Sequence, residues 1–300
     1  MTEKAQMKIA FIGLGRMGGP IAGHLAAAGH HVTVVEPNLD TLSRWCQNHD
    51  GTSAPTAGAA ASDAEVVITS LPADAQLQAV AEGILGHLPS GGVWVDHTTA
   101  SVQISRTLAR DASTRDLGFI DAPVSGGVDG ATRGTLAIMA GGTTTDIDRV
   151  RPLLECYAKR ISHMGDAGTG QLTKMTNQIC VVCVGQALAE GLDFAETAGL
   201  DLEKVVGVML SGASASWQMD NRWQAMANSD YEFGFATELM RKDIGLCLAE
   251  ARRSGVGLPV TALVDQFLSD VEALGGKRWD WCSLMERQRG ARRGESNTGD

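Results

Sequence analysis

Aromatic residues are scarce, at 5% of 300 residues, and proline appears only 8 times. With 36 glycines, so little proline and no fixed repeat, a collagen-like or proline-rich extended chain is excluded. Long hydrophobic runs are missing too. No stretch approaches the roughly 18 uninterrupted apolar residues of a membrane span, and the opening MTEKAQMKIA lacks the apolar block of a signal peptide. The expectation is a cytoplasmic protein with no membrane partner. Basic charge is in deficit, with 25 Lys and Arg against 35 Asp and Glu and a net charge of −10. That balance argues against a nucleic-acid partner, because phosphates need a basic face. The basic run near the end, from Lys277 through Arg287, Arg289, Arg292 and Arg293, is expected to be solvated, with residues 287–300 a flexible tail. Six cysteines are scattered without the doubled close spacing of a zinc site. Cys180 and Cys183 form a lone CxxC inside an apolar helical pattern, so buried free thiols are expected and no metal site.

What is present is ordinary globular material, 44% apolar and 20% charged, in a chain long enough for two domains. Abundant glycine without low complexity suits the tight turns and close backbone approaches of nucleotide-binding α/β proteins. Candidate strands at 8–12, 31–36, 66–70, 93–96, 119–121, 136–140 and 161–164 alternate with helical patterns at 17–28, 75–87 and 101–112. That alternation predicts a doubly wound parallel sheet. Beyond residue 165 the β signal disappears. The division predicted is an α/β domain over 1–165, an all-helical domain over 166–286 and the tail. One long helix is expected over 170–198, and its middle, 179–188, is small or apolar on nearly every face. Such a helix should be buried all round, which a helical half alone would struggle to achieve, so a homodimer or homotetramer is expected.

The first strand runs into Gly13-Leu14-Gly15-Arg16-Met17-Gly18, which opens a helix ending at Gly29. This is the strand, turn and helix setting of a dinucleotide fingerprint. Gly13 would make the tight turn, Gly15 would admit a pyrophosphate, and Gly18 would let helix pack on strand. The next strand ends at an acid, Glu36, at the distance where a carboxylate bonds the adenosine ribose hydroxyls. No Arg or Lys lies between Pro37 and Ser43 to receive a 2′-phosphate, so NAD is expected over NADP. The fold class expected is therefore a Rossmann-type doubly wound parallel sheet with a C-terminal all-helical domain.

Four further segments stand in a telling order. They are Asp96-His97-Thr98-Thr99, the run from Asp121 through Pro123 to Ser125-Gly126-Gly127, the run from Gly168 through Gln171 and Lys174 to Asn177-Gln178, and Lys242-Asp243. In this order and spacing the chain resembles the β-hydroxyacid dehydrogenase family, which includes 3-hydroxyisobutyrate dehydrogenase and tartronate semialdehyde reductase (2-hydroxy-3-oxopropionate reductase) and is related to 6-phosphogluconate dehydrogenase. The resemblance implies an oxidoreductase acting on a small carboxylate-bearing substrate. It assigns Ser125, Gly126 and Gly127 to the substrate carboxylate, and Asn177 to substrate hydrogen bonding. Thr99, Leu71 and Pro72 would lie along the cofactor, as would Lys242 and Asp243. Many members carry asparagine four residues after the lysine; here Gln178 stands there, so either amide is a candidate for the substrate. Trp217 is expected to border the substrate pocket or to pack against helices, and Arg222 either to meet a second anionic group or to be solvated.

Hydride transfer at a hydroxyl-bearing carbon needs a proton acceptor. All seven histidines lie at or before His163, whereas Lys174 enters the most apolar helix, where loss of solvation favours its neutral form. A single lysine is ordinarily a surface residue; the resemblance makes Lys174 the catalytic one. The rivals are an imine reductase on the same fold, against which Lys174 counts, and a non-catalytic NAD-binding interaction module, which would not need Lys174, Asn177 and the Ser125 turn together.

Overall fold

The structure is a computed structural model that describes residues 6–296, with side chains through residue 290. It divides into two compact units, one ending at Lys174 and the other starting at Met175.

Among the described residues the first unit has nine strands: β1 (Lys8–Ile12), β2 (His31–Val35), β3 (Thr52–Ser53), β4 (Val66–Thr69), β5 (Val93–Asp96), β6 (Gly118–Asp121), β7 (Val124–Ser125), β8 (Leu136–Gly141) and β9 (Ala158–Gly165). Between them run α1 (Gly18–Ala27), α2 (Leu39–Asn48), α3 (Ala57–Ala61), α4 (Asp74–His87), α5 (Val102–Ser113), α6 (Gly127–Arg133) and α7 (Thr144–Leu154). The sheet order is β3-β2-β1-β4-β5-β6-β8-β7, with β9 paired to β8. From β3 to β6 all pairs are parallel. This is the doubly wound order that reverses between β1 and β4 and opens a crevice at the carboxyl ends of the strands. The sheet is not parallel throughout, however. β8 runs antiparallel to β6 and to β7, because the chain keeps its direction from β6 into β7 and reverses only across α6.

Central strands buried on both faces read as near-continuous apolar runs. Alternate residues of β1 divide accordingly: Ile9 and Phe11 join Val32, Val34, Val66 and Ile68 in one core cluster, while Ala10 and Ile12 join Val67 and Trp94 in the other. The helices start where the sequence offers side-chain caps. Asn38, Thr56, Ser101 and Thr143 each accept a first-turn amide of α2, α3, α5 and α7.

α8 (Thr169–Thr197) begins in the first unit and continues into the second, which holds α9 (Leu202–Met209), α10 (Trp217–Asn228), α11 (Thr237–Ser254), α12 (Pro259–Ala273) and α13 (Leu284–Ser296). By length and mean hydropathy, 1.3 over its most apolar window, α8 could cross a membrane, but 44% of that window is buried inside the fold, as in a core helix. Gly185 is one reason it packs closely, since a Cβ there would lie 2.0 Å from the Trp281 ring.

Within one chain α8 keeps an exposed stripe at helical spacing, formed by Cys180, Val184, Ala187 and Phe194, with Phe194 at 75% exposure; this is the face for which a second copy was expected. Two expectations need correction. Cys180 is therefore an exposed thiol, while Cys247 and Cys282 are buried. The basic segment is not simply solvated either. α13 extends through Ser296, Arg287 pairs with Asp270 over the Phe267 ring, and Arg289 is buried against Glu196. The side chains of Arg292 and Arg293, and residues 297–300, lie outside the described residues.

Candidate active site

Apart from Lys174, which lies on α8, the candidate residues of the first unit lie at or beside the carboxyl ends of strands. After β1, Gly13 has φ +97° and a Cβ there would sit 2.4 Å from the Ser70 carbonyl; a Cβ on Gly18 would sit 1.9 Å from the Gly13 carbonyl. Those two glycines are required by backbone crowding. Gly15 differs, because a Cβ there would meet nothing within 4 Å. Its bare face looks into open space beside the start of α1, where a pyrophosphate could approach backbone amides. Arg16 is exposed and Met17 half-buried at the same turn. Glu36 follows β2, with Oε2 accepting the Leu14 amide at 2.8 Å and Oε1 the Asn38 amide at 3.0 Å. Thus the acid braces the glycine turn, and each oxygen keeps a second lone pair for a ribose hydroxyl. Leu71 and Pro72 follow β4; the Leu71 amide donates to Thr98 Oγ1 at 3.1 Å, which ties that loop to the one carrying Thr99. The residues present fit a nicotinamide dinucleotide.

Ser125, at the end of β7, is half-buried, and Gly126 and Gly127 beside it are exposed with φ of +128° and +62°. Such positive φ turns backbone amides outward in a way that side chains larger than hydrogen resist.

Lys174 is 9% exposed, and two buried groups define where its helix begins. Asp121 accepts the Gly168 amide through Oδ1 at 2.6 Å and the Gln171 amide through Oδ2 at 2.8 Å. A carboxylate from a distant strand thereby caps the positive end of α8. One turn before Lys174, the Gln171 side chain donates to the Thr98 carbonyl at 2.7 Å and accepts the Ala100 amide at 3.1 Å. The helix start is clasped to the 98–100 loop on both sides of Thr99. Sequence reasoning quoted Asp121 and Gln171 inside motifs without giving either a role. The available signal was that Asp96 and Asp121 end neighbouring strands in register, at the edge where such sheets bind ligands.

Burial pushes the Asp121 carboxyl up to about 7 against the pull of the Gly168 and Gln171 amides, with Asp96 adding to the rise. Asp96 is pushed up to about 6 by burial, opposed by hydrogen bonds from Thr69 and Thr98. His97 is driven down to about 4 by burial and is neutral at physiological pH. Its Nδ1 faces the Ala122 carbonyl at 2.6 Å, so that nitrogen carries the hydrogen, and Nε2 accepts from the Tyr157 hydroxyl at 2.9 Å. With both nitrogens engaged inside the fold, this histidine holds strands together and is unsuited to proton exchange with a substrate.

In the second unit, Asn177 Nδ2 donates to Gln178 Oε1 at 2.9 Å, Gln178 Nε2 donates to Asp243 Oδ2 at 2.7 Å, and Asp243 Oδ1 lies 3.0 Å from Lys242 Nζ. Helical spacing puts Asn177 on the same face of α8 as Lys174. Trp217, 54% exposed, starts α10 and stacks on Arg222, whose guanidinium lies between the Trp217 and Phe233 rings. Arg222 also pairs at 3.3 Å with Asp280, which is fully buried. Arg222 is thus not simply solvated, since its guanidinium lies against two rings and a buried acid.

The model for the NAD binding domain of 6-phosphogluconate dehydrogenase matches residues 8–165. The model for the NAD-binding domain of NADP-dependent 3-hydroxyisobutyrate dehydrogenase matches residues 168–287. The chain belongs to the β-hydroxyacid dehydrogenase family. It is 47% identical to an uncharacterized oxidoreductase of Shewanella frigidimarina, covering 93% of this chain and 97% of that one. It is 35% identical to 3-hydroxyisobutyrate dehydrogenase of Pseudomonas aeruginosa, covering 94% and 98%. Among solved structures, that of Mycobacterium tuberculosis 3-hydroxyisobutyrate dehydrogenase with L-serine superposes with a TM-score of 0.87 at 30% identity, over 95% of this chain and 100% of that chain. An imine reductase from Pseudomonas sp. reaches a TM-score of 0.63 at 19% identity over 94% and 99% of the two chains, a likeness of fold alone. This β-hydroxyacid dehydrogenase family member is thus an oxidoreductase with a nicotinamide dinucleotide domain.

Proposed function

We propose that the protein is an NAD-dependent dehydrogenase that moves a hydride between nicotinamide and a small β-hydroxy acid resembling 3-hydroxyisobutyrate, or its semialdehyde, with Lys174 as general acid/base. The observation that carries this reading is a buried lysine one turn from the Gln171 clasp, on a helix whose start is capped by Asp121. When bound, the nicotinamide supplies the hydride acceptor or donor. The Gly13–Gly18 turn offers amides to the pyrophosphate, Glu36 takes the adenosine ribose, and Leu71, Pro72 and Thr99 flank the nicotinamide end. The Ser125 hydroxyl and the Gly126 and Gly127 amides hold the substrate carboxylate. In oxidation Lys174 accepts the hydroxyl proton, and in reduction it returns it. L-serine, the ligand of the M. tuberculosis relative, carries both a carboxylate and a β-hydroxyl, which supports this substrate class. Glu36, with no basic residue following it through Ser43, supports NAD over NADP. The exposed stripe on α8 supports a homodimer or homotetramer, in which a second copy covers Val184 and Phe194.

Lys174→Ala is expected to lower turnover by about 100-fold or more, the usual worth of a placed proton-transfer group, while NAD still binds. Lys174→Arg should do little better, because a guanidinium cannot release its proton near neutral pH. Wild-type oxidation should rise with pH as the amine becomes neutral. Near-normal turnover in Lys174→Arg with an unchanged pH profile would reduce Lys174 to a substrate-binding cation.

A further inference from the structure

We propose that Gln178 is a positioning residue, which relays the polarity of the buried Asp243 carboxylate to Asn177 so that Asn177 presents a hydrogen-bond acceptor one turn from Lys174. This rests on the dehydrogenase reading above and assigns the amide that orients the Lys174 amine. Asp243 is 2% exposed and lies 3.0 Å from the Lys242 ammonium. A carboxylate can only accept. Gln178 must therefore turn Nε2 toward it, at 2.7 Å. A primary amide is polar in one sense only, so the opposite end of Gln178 is its carbonyl. Oε1 can meet Asn177 only by accepting, and Asn177 must give Nδ2, at 2.9 Å. The carbonyl Oδ1 of Asn177 is thus turned away from Gln178. Each step is forced by the one before, and the orientation of an amide that could otherwise flip freely is set by a charge two side chains away.

The chain of bonds also separates the roles of the two adjacent amides. Gln178 is 4% exposed, its two polar ends are engaged by Asn177 and Asp243, and Nε2 also lies 3.8 Å from Met240 Sδ. It has no end left to offer a substrate. Asn177 is half-buried, on the Lys174 face of α8. An acceptor there can receive an N–H of the neutral Lys174 amine, which leaves the amine's lone pair for the substrate hydroxyl's proton. Glutamine rather than asparagine at 178 supplies the extra methylene that spans Asn177 and Asp243.

Gln178→Met keeps side-chain length and removes both hydrogen bonds. It is expected to lower kcat/KM for the hydroxy acid about tenfold, the worth of one oriented hydrogen bond, with the affinity for NAD unchanged within about twofold. Gln178→Glu is the more telling variant. When the introduced carboxyl and Asp243 share one proton, the original polarity is restored, and without that proton two carboxylates oppose one another. Its kcat/KM relative to wild type should approach unity at acid pH and fall as pH rises, a dependence that a merely structural residue would not create and that shows the variant folds. An activity-independent readout uses protein labelled with ¹⁵N at asparagine, in which the Asn177 side-chain amide hydrogens should be protected from exchange in wild type and lose protection in Gln178→Met. Unchanged protection, kcat/KM within twofold in Gln178→Met, or an equal loss of NAD affinity would overturn the proposal. Absence of β-hydroxy acid oxidation by wild type, with the asparagine protection as expected, would instead overturn the dehydrogenase reading.

Discussion

Replacing Asp121 by asparagine tests how the start of the lysine helix is held. The substitution keeps shape and one acceptor oxygen but removes the charge. The Asp121 carboxyl has an ordinary value of 3.8 and is pushed up by burial to about 7 in the fold. A folded-state value above the unfolded one means that the native protein binds the proton more tightly. Its benefit is complete below about pH 4 and is lost as pH rises through about 7. At about 1.4 kcal/mol per pH unit, the rise corresponds to about 4 kcal/mol. Asp121→Asn mimics the protonated acid, so its stability relative to wild type should be lowest near pH 3 and should rise by up to about 4 kcal/mol by about pH 8.5. Asp96 and His97 also titrate in this window, but they are present in both proteins and largely cancel in the difference. What remains of Asp96 has the same sign, since removing its charged neighbour eases its own ionisation. The assay is urea unfolding at closely spaced pH values, with hydrogen exchange of peptides from β5 and β6 to assign the change to the first unit. The gain should carry a functional cost, because an asparagine turns an N–H toward either the Gly168 or the Gln171 amide. One helix-start amide is then unmatched, and turnover should fall with Lys174 displaced. A stability difference that is flat with pH, or that grows in favour of wild type toward alkaline pH, would refute this reasoning. The second outcome would mean that the two amides and the helix end stabilise the charged form outright.

Cofactor choice should move with Glu36→Ala combined with Pro37→Arg, raising kcat/KM with NADP relative to NAD in initial-rate assays; a wild type that already prefers NADP would show Glu36 misread. The arginine belongs at exposed Pro37, since Asn38 caps α2 by accepting the Thr41 amide and its loss would cost about 1 kcal/mol. Light scattering should give a mass at least twice 31.5 kDa for wild type, and Phe194→Glu should shift it toward the monomer; a monomeric wild type would refute the role of the α8 stripe.

The local signals in this chain were read correctly because they are written in neighbouring residues. β1 and β5 occupy 8–12 and 93–96, as their β-branched runs predicted, and the glycine turn requires Gly13 and Gly18 for reasons of backbone crowding confined to a few residues. The order of motifs sufficed for the family: the glycine turn and the Asp96 and Asp121 segments follow strand ends whose places come from the alternation of strand and helix, while Lys174 and Lys242 lie on α8 and α11. The sequence alone did not decide which polar groups meet. Asp121 caps α8 across 47 residues, and Gln178 reaches Asp243 across 65. Arg222, legible as either a surface cation or an anion receptor, is held by Asp280 and two aromatic rings. Apolar periodicity reports which face of an element is buried, but a hydrogen bond between distant residues leaves no period in the sequence. The same limit applies to α8, whose apolar composition could not distinguish a face covered by its own chain from one left exposed. Only tertiary packing, which fixes distances between residues far apart in the chain, makes that choice.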